Sequence, residues 1–119
     1  MIDAHTFFEQ VDSMDPHAVG KFFAEDAVMV FGNGEPMVGR DVIVAGNGAF
    51  MLSIKKLSHR LVNEWDLDTT TIVESEVTYL RRDDSQVTIP AVTVLHADGD
   101  DDLITHAQVF YDPAPIFAP

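Results

Sequence analysis

Apolar and polar positions change their rhythm near the middle of this chain. From Leu57 onward they alternate in four runs, at about 57–67, 70–82, 86–96 and 102–112. Two of the breaks are turn clusters, Arg82-Asp83-Asp84-Ser85 and Ala97-Asp98-Gly99-Asp100-Asp101-Asp102. Period-two alternation broken by short polar turns predicts antiparallel strands joined by hairpins. Before Leu57 the spacing is three and four. Ala4, Phe7, Phe8, Val11 and Met14 predict a helix over 3–14 with Asp3 as its cap. Asp15-Pro16 starts a second helix, predicted to run to about Ala24 and to bury Val19, Phe22 and Phe23.

Ala27–Phe31 reads as a short buried strand, followed by a Gly-rich loop over 32–36. Gly39-Arg40-Asp41 opens a third helix to about Ile54, with Val42, Ile43, Ala45, Ala49, Phe50 and Leu52 as its apolar set. Gly46 and Gly48 each weaken it by about 1 kcal/mol relative to Ala, or allow a neighbour to approach closely. The Pro-rich end after Tyr111 is expected to be irregular, with Ile116 and Phe117 packing on the body or on a second subunit. Helices first and a long antiparallel sheet afterwards give an α+β fold in one domain over 1–119. Long twisted strands curl around the helices, and the space between is a usual place for a small ligand.

Charge narrows the partners. Seven Lys and Arg stand against twenty Asp and Glu, a net charge of −13. That excludes the cationic footprint of a nucleic-acid-binding protein and disfavours an anionic membrane surface. No run approaches the ~18 apolar residues of a membrane span, and no signal-type pattern opens the chain. The chain has no cysteine, which removes disulfides and thiol chemistry and leads us to expect a cytoplasmic protein. No His or carboxylate spacing indicates a metal, and the Asp98–Asp102 run lacks the spacing of a calcium loop. Neither metal nor cofactor is expected.

Several stretches together resemble the nuclear-transport-factor-like superfamily, in its polyketide-cyclase-like (SnoaL-like) branch. They are Asp15-Pro16, Phe22-Phe23-Ala24-Glu25-Asp26-Ala27-Val28, Gly39-Arg40-Asp41-Val42-Ile43, Val73–Tyr79 and Tyr111–Phe117. The resemblance implies a cystatin-like α+β cone, a sheet curved around the N-terminal helices. It does not imply a reaction, because the fold hosts isomerases, cyclases, hydrolases, dehydratases and non-catalytic modules. The residues of two related mechanisms are replaced. Where ketosteroid isomerases carry their base, their oxyanion tyrosine and their protonated aspartate, this chain has Phe31, Phe7 and Thr93. The arginine and two aspartates of limonene-type epoxide hydrolases fall near Glu76, Thr78 and Val109.

Alternation in the second run gives two readings of Glu76. By pattern alone Val73, Val77 and Tyr79 enter the core, and Glu74, Glu76 and Thr78 meet water. The resemblance implies the reverse. It points Glu76 into the cone as an acid or base and leaves Val77 and Tyr79, with Val94 and Phe110, on an outer face that pairs two subunits. His59 is the partner considered for Glu76, and it shares the parity of Leu61, Asn63 and Trp65. His96 and His106 are expected at the surface or an interface, His5 and His17 have no partner that spacing reveals, and Asn33 is a turn residue. Phe7, Met29, Phe31, Phe50, Trp65, Thr93, Val109 and Tyr111 are expected to line the cone around a small hydrophobic ligand. The reading is a ligand-binding protein with cyclase-, isomerase- or hydrolase-type acid/base chemistry at Glu76 and His59. The alternative is a non-catalytic dimerising or partner-binding module. A homodimer through the outer sheet face is expected on both.

Overall fold

A computed structural model describes residues 2–119. The N-terminal elements are α1 (Ala4–Asp12), α2 (Pro16–Gly20), β1 (Phe23–Phe31), β2 (Met37–Val38) and α3 (Arg40–Leu52). The long strands follow, β3 (Lys56–Leu67), β4 (Thr70–Leu80), β5 (Gln86–His96) and β6 (Ile104–Phe110), and then the short α4 (Ala114–Phe117). One six-stranded sheet has the order β2-β1-β6-β5-β4-β3. The helices lie on its concave face, as the α+β reading requires.

The caps act as the sequence indicates. Asp3 accepts a hydrogen bond from the Thr6 N–H at 3.2 Å, and Asp15 accepts from the N–H groups of His17 and Ala18 at 3.0 and 3.3 Å. The second helix is shorter than predicted. It ends at Gly20, and Phe22 and Phe23 do not extend it, because Phe23 already pairs with Ile104. That ladder adds four residues to the start of the predicted strand, and it is parallel, unlike the antiparallel β3–β4, β4–β5 and β5–β6 ladders. In the third helix the buried residues are Ile43, Asn47 and Met51, one turn apart, while Val42 and Leu52 face outward. The tail is not wholly irregular, since α4 turns Ile116 into the core.

One inserted residue changes the sheet. Leu61 pairs with Ser75, but the next partners are Asn63 and Glu74, so Val62 is a β-bulge. Side chains alternate faces, so an extra residue exchanges every later position between core and solvent. Leu57, His59 and Leu61 face the helices. Asn63, Trp65 and Leu67 face away, opposite Glu74, Ile72 and Thr70. The core lies between helices and sheet, with Phe7, Phe23, Ile43, Val73, Leu95 and Ile104 fully buried.

Candidate functional site

The helices and the concave sheet face enclose a cavity of about 50 Å³. Phe7, Phe8, Val11, Val19, Phe50 and Met51 line it from the helices; Met29, Phe31, Leu57, Val77, Ala91 and Val109 line it from the sheet. Polar atoms enter this apolar wall at His59, Asn47, Thr93, Tyr79 and Tyr111. Asn47 is anchored through its amide, which donates to the Ile43 carbonyl at 2.8 Å and lies 3.7 Å from the Met29 sulfur.

His59 is the best-organised polar group of the wall. Its Nδ1 lies 2.6 Å from Asp12 Oδ1, and its backbone N–H donates to Asp12 Oδ2 at 2.9 Å. A carboxylate only accepts, so Nδ1 carries the hydrogen and the neutral ring keeps its lone pair on Nε2. Among the described residues Nε2 has no hydrogen-bond partner. The ring also packs on Phe8, with centroids 4.5 Å apart. The side chain of His59 is only 10% exposed and that of Asp12 26%. Asp12 ends α1, where the negative pole of the helix disfavours a carboxylate. The two His59 donors offset that penalty.

Among the described residues the hydroxyls of Thr93, Tyr79 and Tyr111 make no hydrogen bond, and all three residues line the cavity. Burial pushes the Tyr79 phenol well above the usual tyrosine range, and the neighbouring Tyr111 and Asp12 push it further. Burial raises Tyr111 as well. Both phenols are therefore neutral donors at physiological pH. Hydroxyls that line a cavity can be completed there by a ligand or water.

The structure brings together eight of the ten residues singled out in the sequence: Phe7, Met29, Phe31, Phe50, His59, Thr93, Val109 and Tyr111. Glu76 and Trp65 are not among them. Glu76 stands opposite Arg60 on the outer face and forms an ion pair with it, its side chain 46% exposed. It cannot meet His59, which stands opposite Val77 on the inner face. The plain alternation of the strand is right here, and the inward placing of Glu76 is corrected. Val77 and Tyr79 move from the expected outer face into the core with it. Trp65 is turned out by the Val62 bulge and is 47% exposed. Asp12 and Asn47 were missed. Each stands one helical turn after a buried hydrophobe, Phe8 and Ile43, where the apolar period calls for another. A polar residue on an apolar helix stripe was the available signal.

Among the described residues no group of His, Asp and Glu is arranged to hold a metal ion, and no helix is long and apolar enough to cross a membrane.

The sequence model of the SnoaL-like domain matches residues 4–107. The chain belongs to the SnoaL-like family. Solved structures agree on the fold of this SnoaL-like chain. A protein of Catenulispora acidiphila DSM 44928 with a ketosteroid isomerase-like fold, solved with trimethylamine, superposes with a TM-score of 0.84 at 19% identity, over 94% of this chain and 86% of its own. A cystatin-fold protein of Novosphingobium aromaticivorans gives 0.74 at 15% identity, over 90% and 93%. SalBIII, an epoxide hydrolase/cyclase-like enzyme of pyran-ring formation in the polyether salinomycin, gives 0.78 at 17% identity, over 91% and 86%. No curated protein matches the sequence with significance. At these identities the SnoaL-like neighbours establish the fold and leave the chemistry to the residues of this chain.

Proposed function

We propose that this SnoaL-like protein binds a small, largely apolar molecule in its cone and moves a proton on it, as a cyclase, isomerase or hydrolase does. His59 is the acid/base group and Asp12 its positioning residue. The observation that carries this reading is His59, held by Asp12, in the wall of an apolar cavity that is also lined by Thr93, Tyr79 and Tyr111. A ring nitrogen with its tautomer set by a carboxylate is a competent general base, and such a group contributes about 10²–10⁴-fold to a rate. The phenols of Tyr79 and Tyr111 supply donors for an oxygen that gains charge. Trimethylamine in one neighbour and epoxide or cyclisation chemistry in another are consistent with a small ligand here.

The test is exchange of α-hydrogens for deuterium in ketones of four to six heavy atoms, followed by NMR. We expect exchange above the buffer rate, lowered at least about 10²-fold in His59→Ala. Ligand-induced shifts are expected at Thr93 and Tyr111. A protein that neither accelerates exchange nor shows cavity shifts with these ketones, and shows no cavity shifts with a larger apolar ligand, removes the proposal.

A second copy of the chain fits the outer sheet face. Trp65, Leu67 and Phe110 are exposed there, with Ile72, Val92 and Val94 half-buried among them. An apolar face of this kind on a free monomer is a liability that a twofold partner removes. We expect light scattering to give a dimer and Phe110→Asp to give a folded monomer. The same face serves a non-catalytic dimerising module, and the exchange measurement separates the two. A cytoplasmic location, expected from the absence of cysteine, belongs to this proposal as well.

A further inference from the structure

The cavity is small for an aromatic ligand. An apolar cavity of about 150 Å³ accommodates benzene, and this one measures about 50 Å³. Yet the apolar wall does not stop where the cavity stops. Leu57, Val77, Tyr79 and Ala91 line the cavity and also belong, with Ile54 and Ile89, to the buried apolar cluster that contains Ile116. Ile116 is 3% exposed and shares that cluster with four residues of the cavity wall.

The element carrying Ile116 is weakly held. Ala114–Phe117 is a single turn with no side-chain cap, and a helix this short has no stability of its own. Its hydrogen bonds are local: the Ala114 N–H donates to Asp112 Oδ1 at 3.0 Å and the Ile116 N–H to the Pro113 carbonyl at 2.9 Å. Among the described residues one side-chain hydrogen bond holds its end to the turn after β4, from the Arg81 guanidinium to the Ala118 carbonyl. Phe117 meets Phe50 edge-on at 6.3 Å and is otherwise exposed. Segments with few buried contacts are the first to open.

We infer that Ile116 occupies an apolar subsite of the ligand and that α4 is its removable plug. The subsite takes the ring system of a molecule larger than benzene, neutral and apolar apart from one polar end. That end reaches His59 and the phenols, so the inference rests on the small-molecule reading above. The ligand enters by displacing Ile116 and covers the wall that Ile116 covered. Little apolar surface is then exposed on balance.

Titration with 2-naphthol, followed by ¹³C-methyl NMR and amide exchange, tests this on the whole protein. In the wild type we expect saturation to move the Ile116 methyl signals to solvent-exposed positions and to reduce protection of the Ile116 amide at least tenfold. Ile116→Ala is expected to bind 2-naphthol at least fivefold more tightly. The wild-type signals keep the test decisive if that variant folds poorly. Small ketones that bind while 2-naphthol does not, or 2-naphthol that binds with Ile116 unmoved, would overturn the plug and leave the small-molecule reading standing. A protein that binds neither class, with or without Ile116, overturns both.

Discussion

Asp12 takes two hydrogen bonds from one residue, His59, which lies 47 positions further along the chain. The carboxylate bridges the end of α1 to the third strand and fixes both the backbone and the ring of its partner. Asp12→Ala leaves the His59 N–H and Nδ1 without an acceptor in a largely buried place. We expect a loss of about 1–3 kcal/mol, read as a lower urea midpoint with an unchanged slope. ¹⁵N NMR of the ring is expected to lose the Nδ1–H tautomer in the same variant.

Ser75 gives the opposite expectation. Its hydroxyl is fully buried between Leu61 and Ala91 and has no partner among the described residues. An unmade hydrogen bond in the interior is a penalty of about 1–3 kcal/mol. Ser75→Ala removes the polar atom at almost no change in volume, so thermal unfolding is expected at the same or a higher temperature. A clear drop in Tm would mean that an unseen partner satisfies this hydroxyl.

Two glycines separate under the same substitution. A Cβ on Gly20 would sit 2.5 Å from Cγ2 of Val44, a stiff β-branched side chain on α3. A Cβ on Gly46 would meet the sulfur of Met37, the flexible end of a long side chain. Gly20→Ala should therefore destabilise by about 1–3 kcal/mol through overpacking. At Gly46 the gain in helix propensity, about 1 kcal/mol, offsets the shift of Met37. Denaturation of both variants under one set of conditions checks the order.

The raised Tyr79 phenol makes stability depend on pH at the alkaline end. Its ordinary value is 10.0, and in the folded protein it lies higher because burial disfavours the phenolate. Above that ordinary value the unfolded chain releases a proton that the folded one keeps. The contribution of Tyr79 is thus complete below pH 10 and is lost as pH rises from there through the folded value. The limiting slope for one group is about 1.4 kcal/mol per pH unit. Urea midpoints between pH 9 and 11 should fall in the wild type and fall less steeply in Tyr79→Phe, with Tyr111 supplying part of the remaining slope.

The fold was legible because its signals are local. Strand alternation placed the run at 86–96 at its observed bounds, and Asp3 and Asp15 marked helix starts correctly. The N-terminal strand was set too short because its first residues are held by a distant ladder, Phe23 against Ile104, that no local pattern reveals. The site was half legible. Aromatic and Val positions reached the cavity because burial and apolar character coincide. Trp65 failed through the single bulge at Val62, and Glu76 failed because the strand's own alternation was outweighed by a resemblance. The register explains both at once: once His59 faces Val77, Glu76 must face Arg60.

The parallel β1–β6 pairing also sets a timetable for folding. The β3–β4–β5 meander closes through short turns and forms from neighbours in sequence. β1 acquires its central partner only when β6 is in place, at the far end of the chain. Closing so long a loop precedes any reward from the contacts it makes. During synthesis Phe23 therefore emerges long before Ile104, the residue it pairs with.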